Sequence, residues 1–284
     1  MVDAEKIKQF IAFLHSQKQY SPHTQKAYLA DLQKFKNFLH TESINDWQQV
    51  GQTQLNSFVM HLHHGGMSAK SIHRSVAAIR GFFKFLLQQD VGQLKLPKAK
   101  QQLPKVLSYE QFQLMAKPHS NDWRELRDVA MIELLYSCAL RVSELVGLNR
   151  EQIDTGFLTV LGKGNKMRHV PIGAESYQAL MRYLHQSVHN GNIVFINQKQ
   201  QRLSTRWVQM MVKKRAADAG IQFDVHPHML RHAAASHFLQ SSRDLRTVQD
   251  YLGHANISST QVYTHLDFQS LAAVYDHCHP RAKA

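Results

Sequence analysis

Six residues scattered along the chain carry side chains suited to work on a phosphate ester: Arg141, Lys163, His228, Arg231, His254 and Tyr263. Two arginines can clamp the non-bridging oxygens of one phosphate, because a guanidinium matches that geometry bidentately. Two histidines can move a proton or donate to the same oxygens. A lysine at a hairpin tip can protonate a leaving oxygen, and a tyrosine can attack phosphorus as a covalent nucleophile. A phenol with a pKa of about 10 is weak alone, so it needs cations and a proton acceptor around it. Residues 155–174 and 225–243 contain no Asp or Glu. Two-metal phosphoryl chemistry needs clustered carboxylates. These stretches fit a reaction whose charge is neutralised by side-chain cations, with no metal or other cofactor expected.

Each residue also has a plainer use. Tyr263 alone suits an amphipathic helix, and His228 or His254 alone suits a hydrogen-bonded structural role. Arg141 alone would pair with Glu144, three residues on, and Lys163 in GKGNK could be ordinary turn chemistry. His61, His63 and His64 lack supporting metal ligands and suit a polar helix end. The joint set carries the chemical reading.

The elements that must position these residues are mostly helices. Ser21-Pro22 is an N-cap followed by proline at the first helical position, and Tyr28, Leu32, Phe35 and Leu39 then form one stripe. Leu55, Phe58, Val59 and Leu62 repeat it before Gly65-Gly66 stops the helix. Ser68 caps another helix with Ile72, Val76, Ile79, Phe83 and Leu86 on one face, and Ile7, Ile11 and Leu14 supply a fourth. The resulting fold class is mainly α with a small β-sheet: an N-terminal helical bundle over 1–93 and an α+β domain over 108–284. Between them, residues 94–107 lose all periodicity, hold Pro97 and Pro104, and read as a basic linker suited to lying along a phosphate backbone.

In the second part, Ser108 and Gln111 are spaced for a capping box, and a helix spans residues 124–136. Arg141 reads as the end of that helix. Phe157–Leu161 and residues 167–172 flank Gly162–Lys166 as a β-hairpin, and a further strand is possible over 193–196. Helices follow over 204–220, 227–240 and 244–252. The apolar segment 268–275 is a last helix, which either packs on its own domain or forms an interface.

The chain has 284 residues and a formal charge of +13, from 34 Lys+Arg against 21 Asp+Glu, with 43% hydrophobic residues. That apolar content excludes global disorder. Two cysteines exclude a disulfide framework, and no uncharged apolar run approaches the ~18 residues of a membrane helix. No signal peptide is readable at the start, so a cytoplasmic location is expected. Residues 1–100 hold 13 Lys+Arg and 6 Asp+Glu, so both halves are basic. Double-stranded DNA, one charge every ~1.7 Å of axis, is the partner that charge suits. Lys70, Arg74, Lys166, Arg206 and Lys213 are the candidate DNA contacts.

Arg141 in LRVSELVGL, Lys163 in GKGNK, His228 and Arg231 in HMLRH, His254 in LGHANISST and Tyr263 in QVYTHLDF together resemble the tyrosine site-specific recombinases. That family is known for an Arg–Lys–His–Arg–His set followed by a tyrosine nucleophile. The match spans essentially the whole chain, with SPHTQKAYLADLQKFKNFL similar to the family's SAM-like core-binding domain. The closing THLDFQSLAAVYDHCHPRAKA is similar to the branch that resolves chromosome dimers at cell division.

The resemblance implies a 3′-phosphotyrosyl intermediate at Tyr263, phosphate contacts from Arg141, Arg231 and His254, Lys163 as general acid and His228 as general base. It also implies a Holliday junction, a heterotetramer with a sister recombinase on a short specific DNA site, and a DNA translocase as further partner. A phage or mobile-element integrase, a type IB topoisomerase and a catalytically silent DNA-binding architectural protein are the alternatives. The chain departs from the family's HxLRHSFATH at Ala233 and Ala234, and has Ala139 where glycine is common, which puts local packing in question.

Overall fold

The computed structural model describes residues 3–18, 20–88, 92, 94, 96–97, 105–162, 167–187, 189, 191–252 and 265–282, and of residues 245, 249 and 265–270 the backbone alone. The chain divides into two compact units, Met1–Leu103 and Pro104–Ala284.

The first unit holds α1 (Ala4–Ser16), α2 (Pro22–Thr41), α3 (Gln52–His64) and α4 (Ala69–Leu87). Their starts follow from local chemistry. Asp3 Oδ1 accepts from the Glu5 N–H at 2.9 Å, Ser21 Oγ from Thr24 at 3.3 Å, and Ser68 Oγ from Ser71 at 3.3 Å, each satisfying a donor the first helical turn leaves open. Gly65 closes α3. The stripes meet in an aromatic core of Phe10, Phe35, Trp47, Phe58, Phe82 and Phe83, all buried, with Phe35 and Phe58 rings 4.8 Å apart. Burial of each such ring contributes roughly 1.5–3 kcal/mol. One polar tie crosses this core: Arg74 on α4 donates Nε and Nη2 to the fully buried Asp31 of α2, at 2.8 and 3.1 Å.

The second unit is built around α6 (Trp123–Ser137), whose residues 129–137 are all buried. A helix buried on every side must be the centre of its domain. It is surrounded by α5 (Tyr109–Ala116), α8 (Ala174–Gln186) and α10 (Pro227–Ser242). The Ser108–Gln111 capping box starts α5 as its spacing predicts. The other helices are α7 (Val142–Gly147), α9 (Thr205–Asp218), α11 (Leu245–Leu252) and α12 (His265–Cys278). The antiparallel sheet has the order β1 (Ile153–Asp154), β2 (Phe157–Leu161), β3 (Met167–Pro171), with Leu161 opposite Met167 beside the hairpin tip.

The structure departs from expectation in several places. Arg141 does not end α6, which stops at Ser137; it is the extended residue that caps α7. Residues 193–196 form only isolated bridges, Asn149 with Ile193 and Ile196 with Arg202, so the apolar run there marks burial rather than a strand. Strand β1 and helix α8 form where no sequence pattern predicts an element.

The closing segment 268–275 is helical within α12, and its Leu271 and Tyr275 are buried in their own unit, where the Tyr275 hydroxyl donates to the Ser137 carbonyl at 3.0 Å. Ala139 takes a left-handed φ of 43°, a conformation that glycine adopts without steric cost, and Ala233 and Ala234 are fully buried. Of the linker, the described residues 94, 96–97 and 105–107 carry no helix or strand. No helix among the described residues is long and apolar enough to cross a membrane.

Candidate active site: three guanidinium groups around one carboxylate

The left-handed turn at Ala139 lets the chain leave α6 and start α7 within four residues, with Arg141 at the corner. Glu144, one turn into α7, reaches back: its Oε2 accepts the Arg141 backbone N–H at 2.8 Å and its Oε1 accepts Arg141 Nη1 at 2.8 Å. The plain ion pair expected of Arg141 therefore exists, but it is not closed. Arg168 on β3 donates Nη2 to Glu144 Oε2 at 3.0 Å and Nη1 to the Tyr251 carbonyl at 3.5 Å.

Arg231, one turn into α10, donates Nη1 to the Ala139 carbonyl and Nη2 to the Leu252 carbonyl. Tyr251 and Leu252 are the last two residues of α11. A helix leaves its final carbonyls without intrahelical partners, at the negative end of its dipole. Here two guanidinium groups take them.

The charges do not balance. Three guanidinium groups face one carboxylate, and Glu144 and Arg231 are both buried. Burial, with the charges of Arg141 and Arg168, lowers the Arg231 pKa to about 10. Burial pushes the Glu144 carboxyl up, but the charge of Arg168 and the hydrogen bonds and charge of Arg141 together hold it below its ordinary value. A desolvated cluster with surplus positive charge is a site that gains from an incoming anion. Arg141 is the member on the open side, with 31% of its side chain exposed, against 12% for Arg168.

The Tyr251 side chain anchors this end of α11. Its buried hydroxyl donates to the Ser137 carbonyl at 2.7 Å and lies 3.4 Å from His279 Nε2. His279 stacks on Tyr275 with centroids 4.5 Å apart, and burial lowers its pKa to about 3.

His228 lies in the first turn of α10, one turn before Arg231, with its ring exposed and 6.3 Å from that of His226. Lys163, Lys166, His254 and Tyr263 lie outside the described residues. The chain reaches the last two of these directly from the end of α11 and leaves them into α12, two elements that pack on each other.

Among the candidate DNA contacts, Lys70 and Arg206 are exposed in the first turns of α4 and α9. Arg74 is held by Asp31, and Lys213 pairs with Asp224 at 2.8 Å. Lys105, in the expected linker, lies over the Phe223 ring, 5.4 Å from its centroid. Among the described residues, no group of three or more His, Cys, Asp or Glu could hold a metal ion.

Sequence reasoning missed Arg168, the bridging role of Glu144, and Tyr251. Arg168 had a faint signal: it sits in an acid-free stretch and alternates with the buried Val170, so period two turns both to one face.

Comparison with known proteins shows the family to which the chain belongs. Residues 105–270 match the phage integrase family, and residues 7–90 match the phage integrase N-terminal SAM-like domain. A tyrosine recombinase XerC from Pseudomonas syringae pv. tomato is 44% identical over 282 residues, covering 95% of this chain and 94% of that protein. The XerC of Stutzerimonas stutzeri is 42% identical over 286 residues, covering 96% and 95%. In fold, a lambda integrase dimer bound to a COC′ core site matches with a TM-score of 0.70 at 14% identity, covering 92% of this chain and 98% of that one. XerH recombinase in a post-cleavage complex with palindromic difH matches with 0.68 at 23% identity, covering 89% and 79%.

Proposed function

The chain belongs to the phage integrase family as a XerC-like tyrosine recombinase, an enzyme that cleaves and rejoins DNA, and we propose that it exchanges strands at a dif-like site through Tyr263. In this reading the Tyr263 oxygen bonds to the scissile phosphorus as the bond to the 5′ oxygen breaks. The phenolic proton passes to His228, and Lys163 delivers a proton to the departing 5′ oxygen. The products are a 3′-phosphotyrosyl ester and a free 5′-hydroxyl. Arg141 and Arg231 hold the non-bridging oxygens, and His254 donates to one of them. The ester retains the energy of the phosphodiester. A 5′-hydroxyl from the partner duplex reverses the attack and yields a Holliday junction without ATP or metal.

The observation that carries the reading is the surplus of guanidinium charge around Glu144 at the end of α11, immediately before the segment holding His254 and Tyr263. An anion completes that cluster, and a phosphodiester is the anion the family works on. The division into two units supports a core-binding domain over 1–93 and a catalytic domain over 108–284, joined by a basic linker. Lys70, Lys166 and Arg206 are the DNA contacts this reading retains as cations. Arg74 and Lys213 contribute with part of their charge already matched. The reading extends, as the family resemblance implies, to a XerD-like sister subunit in a heterotetramer, resolution of chromosome dimers in the cytoplasm and an FtsK-like translocase as partner. The part of α12 not turned to its own core is the surface for the sister subunit.

The test is covalent trapping. A duplex nicked just 3′ of the cleavage point loses the short fragment that carries the new 5′-hydroxyl after attack and cannot religate. The protein should form a stable adduct on it that Tyr263→Phe cannot form and that Arg141→Ala forms about 10²–10³-fold more slowly. An adduct that survives Tyr263→Phe removes that residue from the mechanism.

A further inference from the structure

Arg168 is a cation that the proposed mechanism does not use. It lies on β3, five residues after Lys163, and its side chain is 12% exposed. Its Nη2 holds Glu144, its Nη1 reaches the Tyr251 carbonyl, and its Nε is buried with no acceptor among the described residues. A guanidinium placed for its own stability would satisfy its buried donors. This one is drawn instead toward two points that belong to different segments. Glu144 fixes the Arg141 corner, and Tyr251 belongs to the end of α11, whose neighbouring carbonyl at Leu252 holds Arg231.

Consider the cluster with Arg168 removed. Glu144 and Arg141 would form a neutral, closed pair, and an incoming phosphate would have to compete with a buried carboxylate for the guanidinium. With Arg168 on Oε2, the carboxylate is shared, the cluster's surplus positive charge rises from one to two, and Arg141 stays oriented by Oε1 alone at its far end. The hairpin strand, the α7 corner and the end of α11 are thereby tied together before substrate arrives.

We infer that Arg168 is a positioning residue for strand cleavage: by holding Glu144 and the Tyr251 carbonyl it sets Arg141 and the end of α11 for the scissile phosphate. This rests on the reading that the cluster binds that phosphate. Second-layer contacts of this kind typically change activity by about 10–100-fold when lost.

The experiment uses the full chain and two nicked duplexes, one with the natural scissile phosphate and one with an uncharged methylphosphonate there. On the natural duplex, Arg168→Met should cleave about 10–100-fold more slowly in a single turnover while DNA affinity stays within about threefold, and Arg168→Lys should recover part of the loss. On the methylphosphonate, which has no anionic oxygen for an oriented guanidinium to neutralise, the Arg168→Met defect should shrink to less than about threefold. A defect equal on both duplexes means a merely structural role, and no defect on the natural duplex means no role; either overturns the inference.

Should Arg168→Met unfold at a lower temperature, a double-mutant cycle decides: added to Glu144→Ala, it should cost little more than Glu144→Ala alone, whereas full additivity overturns coupling through Glu144. Wild-type protein that forms no adduct on the natural duplex would sink the cleavage reading itself, an outcome separate from any behaviour of the variants.

Discussion

Arg231 occupies a position where a charge is costly, and the structure shows what keeps it there. Two backbone carbonyls, one on either side of the site, accept from its planar fork. Lysine carries the same charge without that fork, so Arg231→Lys should bind DNA almost normally yet cleave about 10²-fold more slowly in single-turnover assays. Wild-type rates in that variant would show that charge alone is needed. His279 gives a second prediction. It is buried among Tyr251, Tyr275, Tyr136, Phe238 and His237, and its folded pKa of about 3 lies below the ordinary value of 6.5. The unfolded chain therefore binds more protons between those values, and stability falls as pH drops through that window. By pH 5 the loss is on the order of 2 kcal/mol. Denaturant unfolding at pH 7 and pH 5 should show that loss in the wild type and a smaller one in His279→Phe; equal slopes would contradict it. Arg141, His228 and Arg231 were marked by type and order along the chain, and the structure brings Arg141 and Arg231 into one cluster. Arg168 was not marked, because either it or its neighbour His169 could lie on the buried side of the strand, and only the sheet register places Arg168 with the buried Val170.

At the scale of elements, mostly apolar stripes gave the four helices of the first unit, helped at α2 and α4 by the Ser21 and Ser68 caps. The Arg74–Asp31 tie was hidden, since it joins residues 43 apart and Arg74 reads as one more surface cation. Arg74→Met should leave the buried Asp31 without its partner and destabilise the first unit by about 1–3 kcal/mol, less than for a fully buried pair because half of the arginine side chain faces water. Thermal unfolding checks this, and an unchanged midpoint would make the pair a surface contact. Helix α8 escaped detection because its buried side is Ser176, Leu180 and Tyr183, a seam with two hydroxyl groups. Those hydroxyls are satisfied inside the fold, by Glu133 and by the Val194 carbonyl, which no local pattern announces. Residues 193–196 failed in the opposite direction: an apolar run is required wherever chain is buried, with or without a ladder.

Across the whole molecule, the charge of +13 is spread over both units, and DNA affinity should follow counterion release. If six or more phosphates are neutralised, affinity falls at least about 10³-fold between 50 and 200 mM salt, and Lys70→Ala should reduce the log–log slope by about one. An affinity that barely moves with salt would contradict a charge-driven grip. The chain divides at Leu103–Pro104, within the stretch where the sequence loses its periodicity; the convergence of Arg141, Arg168 and Arg231 has no such sequence signal, because it depends on a left-handed turn at Ala139 and on where α11 ends. The central claim is that a phenol carries the cut strand. Proteolysis of the trapped adduct, followed by mass spectrometry of the DNA-linked peptide, tests it most directly. The account predicts a peptide containing Tyr263 esterified to a 3′-phosphate; a linkage to another residue, or to a 5′ end, would contradict it.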